Sequence, residues 1–166
     1  KGVAVMKHAF ILLICTVLFF CKGTSGPEKA TSSITYVWEL HLPNDAIPGW
    51  EEDRARYRIF DAAYLYDLID GGATIFDNHG LIAGIVQMMR YDTLYENLAY
   101  VTDFGSTAKA REMFAAQKKE VGGMSERISG FDTTMAAANL NLGGCTVYAV
   151  IDRFYIEMYL GGYNDQ

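Results

Sequence analysis

Cysteine is scarce in this sequence, and this limits the covalent chemistry of the chain. It has three cysteines in 166 residues, and Cys15 and Cys21 both lie in an apolar segment near the N-terminus. Cys145 alone remains for the rest of the chain, so no intramolecular disulfide is expected there. The glycines before Cys145 and the alternating residues after it favour a buried thiol at the start of a strand, with an intermolecular pair as the alternative.

Basic residues are also few. Lysine and arginine number 14 against 20 aspartates and glutamates, which gives a formal net charge of −6. Nucleic-acid binding requires a basic surface, and attraction to anionic lipids requires basic clusters. We therefore expect neither nucleic acid as a partner nor a polybasic membrane surface.

The sequence has no apolar run long enough for a typical membrane-spanning helix. Its longest run, Ala9 to Phe20, falls short of the roughly 18 to 20 residues that a span needs. Lys7 before the run, and Gly23 and Ser25 after it, match the pattern of an export signal. We predict upstream residues and a signal peptide over 1–25, a flexible tether over 26–33, and a single α+β domain over 34–166.

The signal segment leaves three possibilities open for the mature chain. Cleavage after Gly23 or Ser25 would release it to the periplasm or the exterior. Lipidation of Cys21 would anchor it to the cell envelope, since Leu18 stands where a lipoprotein box has leucine, although Phe20 is bulkier than such a box prefers. An uncleaved anchor is the third possibility. In each case the membrane is contacted only through the signal or a lipid.

Several catalytic motifs are missing. No serine stands in the glycine-flanked elbow of hydrolases, and no histidine pair has the spacing of a zinc site on a helix. Gly71 and Gly72 follow no predicted strand and precede no lysine, so they do not form a phosphate loop. We interpret the pair as a backbone feature that lets a helix end or cross another element closely, and we predict no cofactor.

The pattern of apolar residues predicts alternating helices and strands. Residues at spacings of three and four mark one helix over 56–69 and a second one that begins after Ser106 and ends at Gly122. Period-two and β-branched stretches predict strands over 81–91, 95–104, 145–151 and 154–160. The predicted fold is α+β: an antiparallel sheet of two hairpins with helices packed on one face, in the order helix, strand, strand, helix, strand, strand.

A segment that begins in the first predicted helix and continues beyond it resembles a known family. The residues that carry the resemblance are Leu65, Tyr66, Asp67, Asp70, Gly71, Gly72, Ala73 and Gly80. They are similar to the hallmark segment of an exported bacterial family known as domain of unknown function 6599. The resemblance extends over about residues 42–160 and implies an exported or lipid-anchored protein with no assigned chemistry.

The sequence departs from the pattern of this family at three places. Thr74 stands where the family usually has an acid, and His79 replaces a tyrosine. A further helix expected after the last hairpin is missing, which leaves a truncated C-terminus as an open question.

An acidic cluster offers a candidate enzymatic site. Asp67, Asp70, Asp77 and His79 lie close together in the sequence, and oxygen ligands of this kind suit a metal ion. The spacing lacks the alternating acids of known calcium loops, and aspartates at helix ends and turns have ordinary structural roles. An envelope hydrolase or metal-dependent enzyme that uses this cluster is therefore the alternative function.

Aromatic residues indicate a binding module as the leading interpretation. Tyrosine and tryptophan outside a core stack on sugars or on protein surfaces. The candidate binding surface consists of Trp50, Tyr66, His79, Tyr155 and Tyr159. Its partner would be an unidentified protein or a carbohydrate. Core packing is the competing interpretation of these rings, and assembly through an exposed sheet edge is a further possibility.

Overall fold

An antiparallel sheet is the central element of the structure. The structure, a computed structural model, describes residues 36–44, 46–69, 72–92, 95–122, 128, 136–141 and 144–162. Within them the strands are β1 (Trp50–Glu52), β2 (Arg58–Phe60), β3 (Ala83–Tyr91), β4 (Tyr95–Asp103), β5 (Ala136–Asn141), β6 (Gly144–Ile151) and β7 (Phe154–Gly162). Their order is β1-β3-β4-β7-β6-β5, and β2 also pairs with β3. The predicted α+β class is confirmed.

The sheet has more strands than the two predicted hairpins contain. β3 pairs with β4, and β6 with β7, through turns in which Asp92 and Asp152 adopt positive φ angles of 54° and 55°. Strands β1, β2 and β5 are additional, so the predicted element order is incomplete. β1 and β2 have only three residues each, and β5 begins with three alanines, which favour strands weakly.

Three α-helices are present in the described ranges, namely α1 (Ala62–Ile69), α2 (Ala73–Asn78) and α3 (Thr107–Val121). α1 begins later than predicted because residues 58–60 pair with β3 instead of continuing the helix. α3 begins after Ser106, whose hydroxyl accepts a hydrogen bond from the Lys109 amide at 3.3 Å. It ends at Gly122, which adopts the left-handed conformation with φ 64°.

The α-helices cover one face of the sheet, which we call the helix face. Alternation along antiparallel strands directs every second side chain to this face. The buried cluster there joins helical residues Leu65, Ala73, Phe76, Ala110, Met113 and Phe114 to strand residues Val86, Tyr148, Val150 and Tyr155. This cluster packs α2 and α3 against β6 and β7.

The opposite face packs against the N-terminal arm, residues 36–44. Val37, in a short 3₁₀ helix, is 1% exposed and lies in a cluster with Ile85 and Val101. The buried Gln87 side chain accepts a hydrogen bond from the Leu42 amide at 3.0 Å and donates one to the Leu42 carbonyl at 2.7 Å. Gln87 therefore pairs with the arm as a neighbouring strand would.

The strand beside the outer edge of β3 is interrupted. β1 pairs with residues 89–91 and β2 with residues 84–86, and a 3₁₀ turn over Arg54–Arg56 separates them. The Asp53 carboxylate caps this turn at the Ala55 amide and forms an ion pair with Arg90 at 2.9 Å. Where a continuous strand would form backbone hydrogen bonds with β3, the turn is instead held by these side-chain contacts.

Candidate functional site

The residues that resemble the family segment divide into buried and exposed positions. Leu65 and Ala73 are buried in the helix-face cluster, whereas Tyr66 and Asp67 are exposed on α1. The buried residues of this segment therefore contribute to the packing of the core.

The glycines of this segment differ in what they require. Gly80 has a φ of 74° and ends the turn after α2, a conformation that glycine adopts without strain. Gly72 instead has right-handed helical angles, and an added Cβ would approach only Ile69, at 3.7 Å. The proposed backbone requirement therefore does not hold at Gly72. Asp70 and Gly71 lie outside the described residues.

The described members of the acidic cluster do not form a metal site. Asp67 and Asp77 are exposed. The His79 Nδ1 atom lies 2.7 Å from the Ile75 carbonyl oxygen, so the ring donates to the end of α2 in the tautomer that carries this proton. Nowhere in the described ranges do three histidine, cysteine, aspartate or glutamate side chains group closely enough to hold a metal ion.

Two members of the predicted aromatic surface are buried. Trp50 is 9% exposed and packs with Met89 and Leu160, and Tyr155 is fully buried between Phe76 and Phe104. The burial of Trp50 and Tyr155 agrees with core packing, the competing interpretation of these rings. For Tyr155, the alternation of β7 does not reveal that both faces of the strand are covered.

The other aromatic residue of β7 in this set, Tyr159, is partly exposed. Its ring lies across Gly161 and Gly144, which are cross-strand partners: an added Cβ would approach the ring at 2.7 Å and 3.1 Å. The two glycines thus leave room for the ring on the helix face.

A cleft of about 500 Å³ lies where α2 and α3 meet the helix face of the sheet. Thr74, Ile75, Phe76 and Asn78 contribute one wall, Gln117 and Glu120 contribute another, and Tyr100 and Glu157 belong to the sheet. Thr74, Asn78 and Glu120 are exposed and form the rim, whereas the other named residues are partly or fully buried. The volume lies within the range of small-molecule sites.

Strand register assembles the polar group at the base of the cleft. Glu157 on β7 pairs directly with Tyr100 on β4 and with Tyr148 on β6. Tyr155, two residues earlier on the same face, directs its hydroxyl to the Glu157 Oε2 atom at 3.3 Å. One carboxylate is therefore surrounded by three tyrosines that come from three adjacent strands.

Burial controls the protonation of this group. It raises the pKa of the Glu157 carboxyl, and the hydrogen bond from Tyr155 opposes this shift only in part. Burial likewise raises the pKa of Tyr100 and Tyr148 and places that of Tyr155 well above its ordinary value, and the negative charge of Glu157 adds to all three shifts. The phenols therefore remain protonated donors at neutral pH.

The described lining of the cleft combines apolar and polar side chains. It contains two carboxylates, two aromatic rings, two isoleucines and two side-chain amides. That part of the lining holds no serine, cysteine or histidine that would act as a nucleophile or a proton-transfer pair. The residues present can bury an apolar group and form hydrogen bonds.

Sequence reasoning missed Glu157, although one signal was available. It is the only charged residue within the otherwise apolar and aromatic run 154–160. A lone acid in such a run indicates either an exposed face or a special site. The choice depends on the strand register and on where α3 lies, which the local pattern does not provide.

Comparisons with known proteins give little further information. No protein-family model matches the sequence, and no curated protein matches it. Among solved structures, the extracellular domain of PknH from Mycobacterium tuberculosis is similar with a TM-score of 0.41 and 11% identity, over 66% of this chain and 70% of that one. In the part of the chain that the structure describes, no helix is long and apolar enough to cross a membrane.

Proposed function

We propose that this chain is an exported, non-catalytic binding module whose ligand site is the cleft around Glu157. The observation that carries the proposal is the cross-strand row Tyr100, Glu157, Tyr148 at the base of a cleft with an exposed polar rim. Concave sites with apolar walls and a few convergent polar groups are the usual form of small-molecule sites.

Burial of Glu157 supports a binding role rather than a purely structural one. A carboxylate with a raised pKa destabilises the fold at neutral pH, because its charged form loses hydration. A hydrophobic residue at this position would not carry this cost. A ligand that interacts with the carboxylate offsets the cost when it binds.

Export rests on the sequence of the first 25 residues and on the resemblance to domain of unknown function 6599. The apolar run behind Lys7 and the small residues after it support a signal peptide. Free secretion and lipidation at Cys21 remain the two routes, which place the module in the periplasm, outside the cell or on the envelope. In each location the cleft would meet solutes or exposed groups of the envelope.

A blocking substitution at the rim tests the binding site. Thr74 is exposed on α2 and lines the cleft, so Thr74→Trp places a large ring at its mouth. Saturation-transfer NMR of the full chain with a panel of neutral, cationic and anionic small molecules and oligosaccharides should identify compounds that bind the wild type and not this variant.

Asp77→Trp is the matched control, because Asp77 is exposed on the same helix and is not among the residues that line the cleft. Compounds that occupy the cleft should bind this variant as they bind the wild type. If no compound binds, or if all bound compounds bind Thr74→Trp equally well, the cleft is not the ligand site.

A further inference from the structure

The charges of the cleft determine which ligands it can accept. Glu157 lies at its base and Glu120 at its rim, while no lysine, arginine or histidine occurs among its described lining residues. A phosphate or carboxylate entering this site would lose water without gaining a cationic partner, and it would approach two acids. The cleft is therefore unsuited to anions.

Aromatic rings around Glu157 add a second preference. Phe76 and Tyr100 line the cleft, and the Tyr148 and Tyr155 side chains surround the carboxylate from the adjacent strand and from β7 itself. Ring faces attract cations, and the attraction increases when the cation is removed from water. Tyr148 and Tyr155 are themselves buried, so Tyr100 and Phe76 are the rings that a ligand at Glu157 can contact, and the same cationic group can pair with the carboxylate and lie beside these rings.

The remaining lining favours an apolar body on the ligand. Ile69 and Ile75 are partly buried at the cleft, and Phe76 is 5% exposed. Contact with these side chains removes apolar surface from water. Asn78 offers a side-chain amide at the cleft rim, whereas the Gln117 side chain is already hydrogen-bonded to Tyr148.

We propose that the cleft binds a small molecule that carries a protonated amine on an apolar body, with the ammonium group against the Glu157 carboxylate and the apolar body against Ile75 and Phe76. This inference rests on the proposed function, since it specifies the ligand class for the same site. It makes Glu157 the residue that determines specificity, and it assigns no covalent step.

A matched pair of probes tests the role of charge. 4-Phenylbutylamine and 4-phenylbutanol differ in the amine and hydroxyl group and share the same apolar body. Isothermal titration of the full chain at pH 7.5 and low salt should show the amine binding at least about tenfold more tightly than the alcohol. In Glu157→Gln the two affinities should agree within about twofold, because the ion pair is lost while the apolar contacts remain.

The alcohol reports whether the variant is still folded around its cleft, because its affinity for Glu157→Gln should equal that for the wild type. Glu112→Gln is the charge-matched control, since Glu112 is exposed on α3 and is not a described lining residue; it should retain the full preference for the amine.

Two contrary results have different meanings. If the alcohol binds wild type as well as the amine does, or if the preference survives Glu157→Gln, and Thr74→Trp still removes binding, the ligand class is wrong while the cleft remains a binding site. If neither probe binds the wild type, the ligand class is rejected, and the site itself is rejected as well if no compound of the wider panel distinguishes the wild type from Thr74→Trp.

Discussion

At the scale of single residues, Glu157 is the position where stability and binding oppose each other. Its pKa is raised in the folded protein, so between its unfolded and folded pKa values the folded state holds more protons than the unfolded state. Stability contributed by the neutral form is therefore present at low pH and lost as the pH rises through the folded pKa. The groups that face the carboxylate are Tyr100, Tyr148 and Tyr155 on the strands, with Glu120 across the cleft.

We expect Glu157→Gln to unfold at a higher temperature than the wild type at pH 7.5, because the variant removes a poorly hydrated charge and keeps an acceptor for the Tyr155 hydroxyl. The difference should shrink as the pH falls below the ordinary carboxyl pKa, where the wild-type side chain is neutral. Thermal unfolding followed by circular dichroism across this pH range measures it, with exposed Glu112→Gln as control. A variant less stable than the wild type at every pH would contradict this account of Glu157.

Two glycines should respond in opposite ways to substitution. A Cβ at Gly84 would overlap the ring of Phe60, which is only 3% exposed and cannot move into solvent without losing its packing. We expect Gly84→Val to reduce the free energy of unfolding by about 1–3 kcal/mol, as overpacked cores do. Gly72→Ala should change it by no more than about 1 kcal/mol, and in the stabilising direction, because its angles suit any residue. Urea denaturation measures the free energy of unfolding of both variants. An equal loss of stability in the two would contradict the difference expected between Gly84 and Gly72.

At the scale of elements, the contrast between α3 and β7 shows what a sequence pattern can determine. The capping serine Ser106 and the terminal glycine Gly122 act within a few residues of chain, and α3 begins and ends where they predict. Strand β7 alternates as predicted, but Phe154 and Tyr155 are both buried because the sheet is packed on two sides. A local pattern carries no information about a covering element that is distant in sequence.

The arm and β3 form a second unit at this scale, and Gln87 joins them. We expect Gln87→Leu to reduce the free energy of unfolding by about 1–3 kcal/mol, because it leaves the Leu42 amide and carbonyl without these partners. The cleavage rate of the arm under limited proteolysis should rise as well. Asn44→Ala removes an exposed hydrogen bond to the Glu52 amide from the same arm and should have a smaller effect. Unchanged stability of Gln87→Leu would show that other contacts of the arm, such as the burial of Val37 and the pair between His41 and Glu52, hold it in place.

At the scale of the whole molecule, the sequence predicted the α+β class because helix caps, turn residues and apolar periods are local signals. It did not predict the cleft, because Tyr100, Tyr148 and Glu157 meet only through the pairing of three strands. It also did not predict β1 and β2, whose three residues each are too few to establish a period. The candidate site thus depends on the register of the strands. The motif that resembles a family instead contributes Leu65 and Ala73 to the buried core of the helix face.

The interrupted strand at the outer edge of β3 bears on how this protein behaves when it is concentrated. A continuous edge strand offers a row of free amides and carbonyls onto which another chain can add, which is how sheets grow into fibrils. Here the 3₁₀ turn at Arg54–Arg56 divides that row into two strands of three residues each. The exposed side chains of Arg54 and Arg56 also place charge along this edge. This side of the sheet is therefore a poor template for the addition of a second chain, so the folded protein should stay free of edge-to-edge association at high concentration.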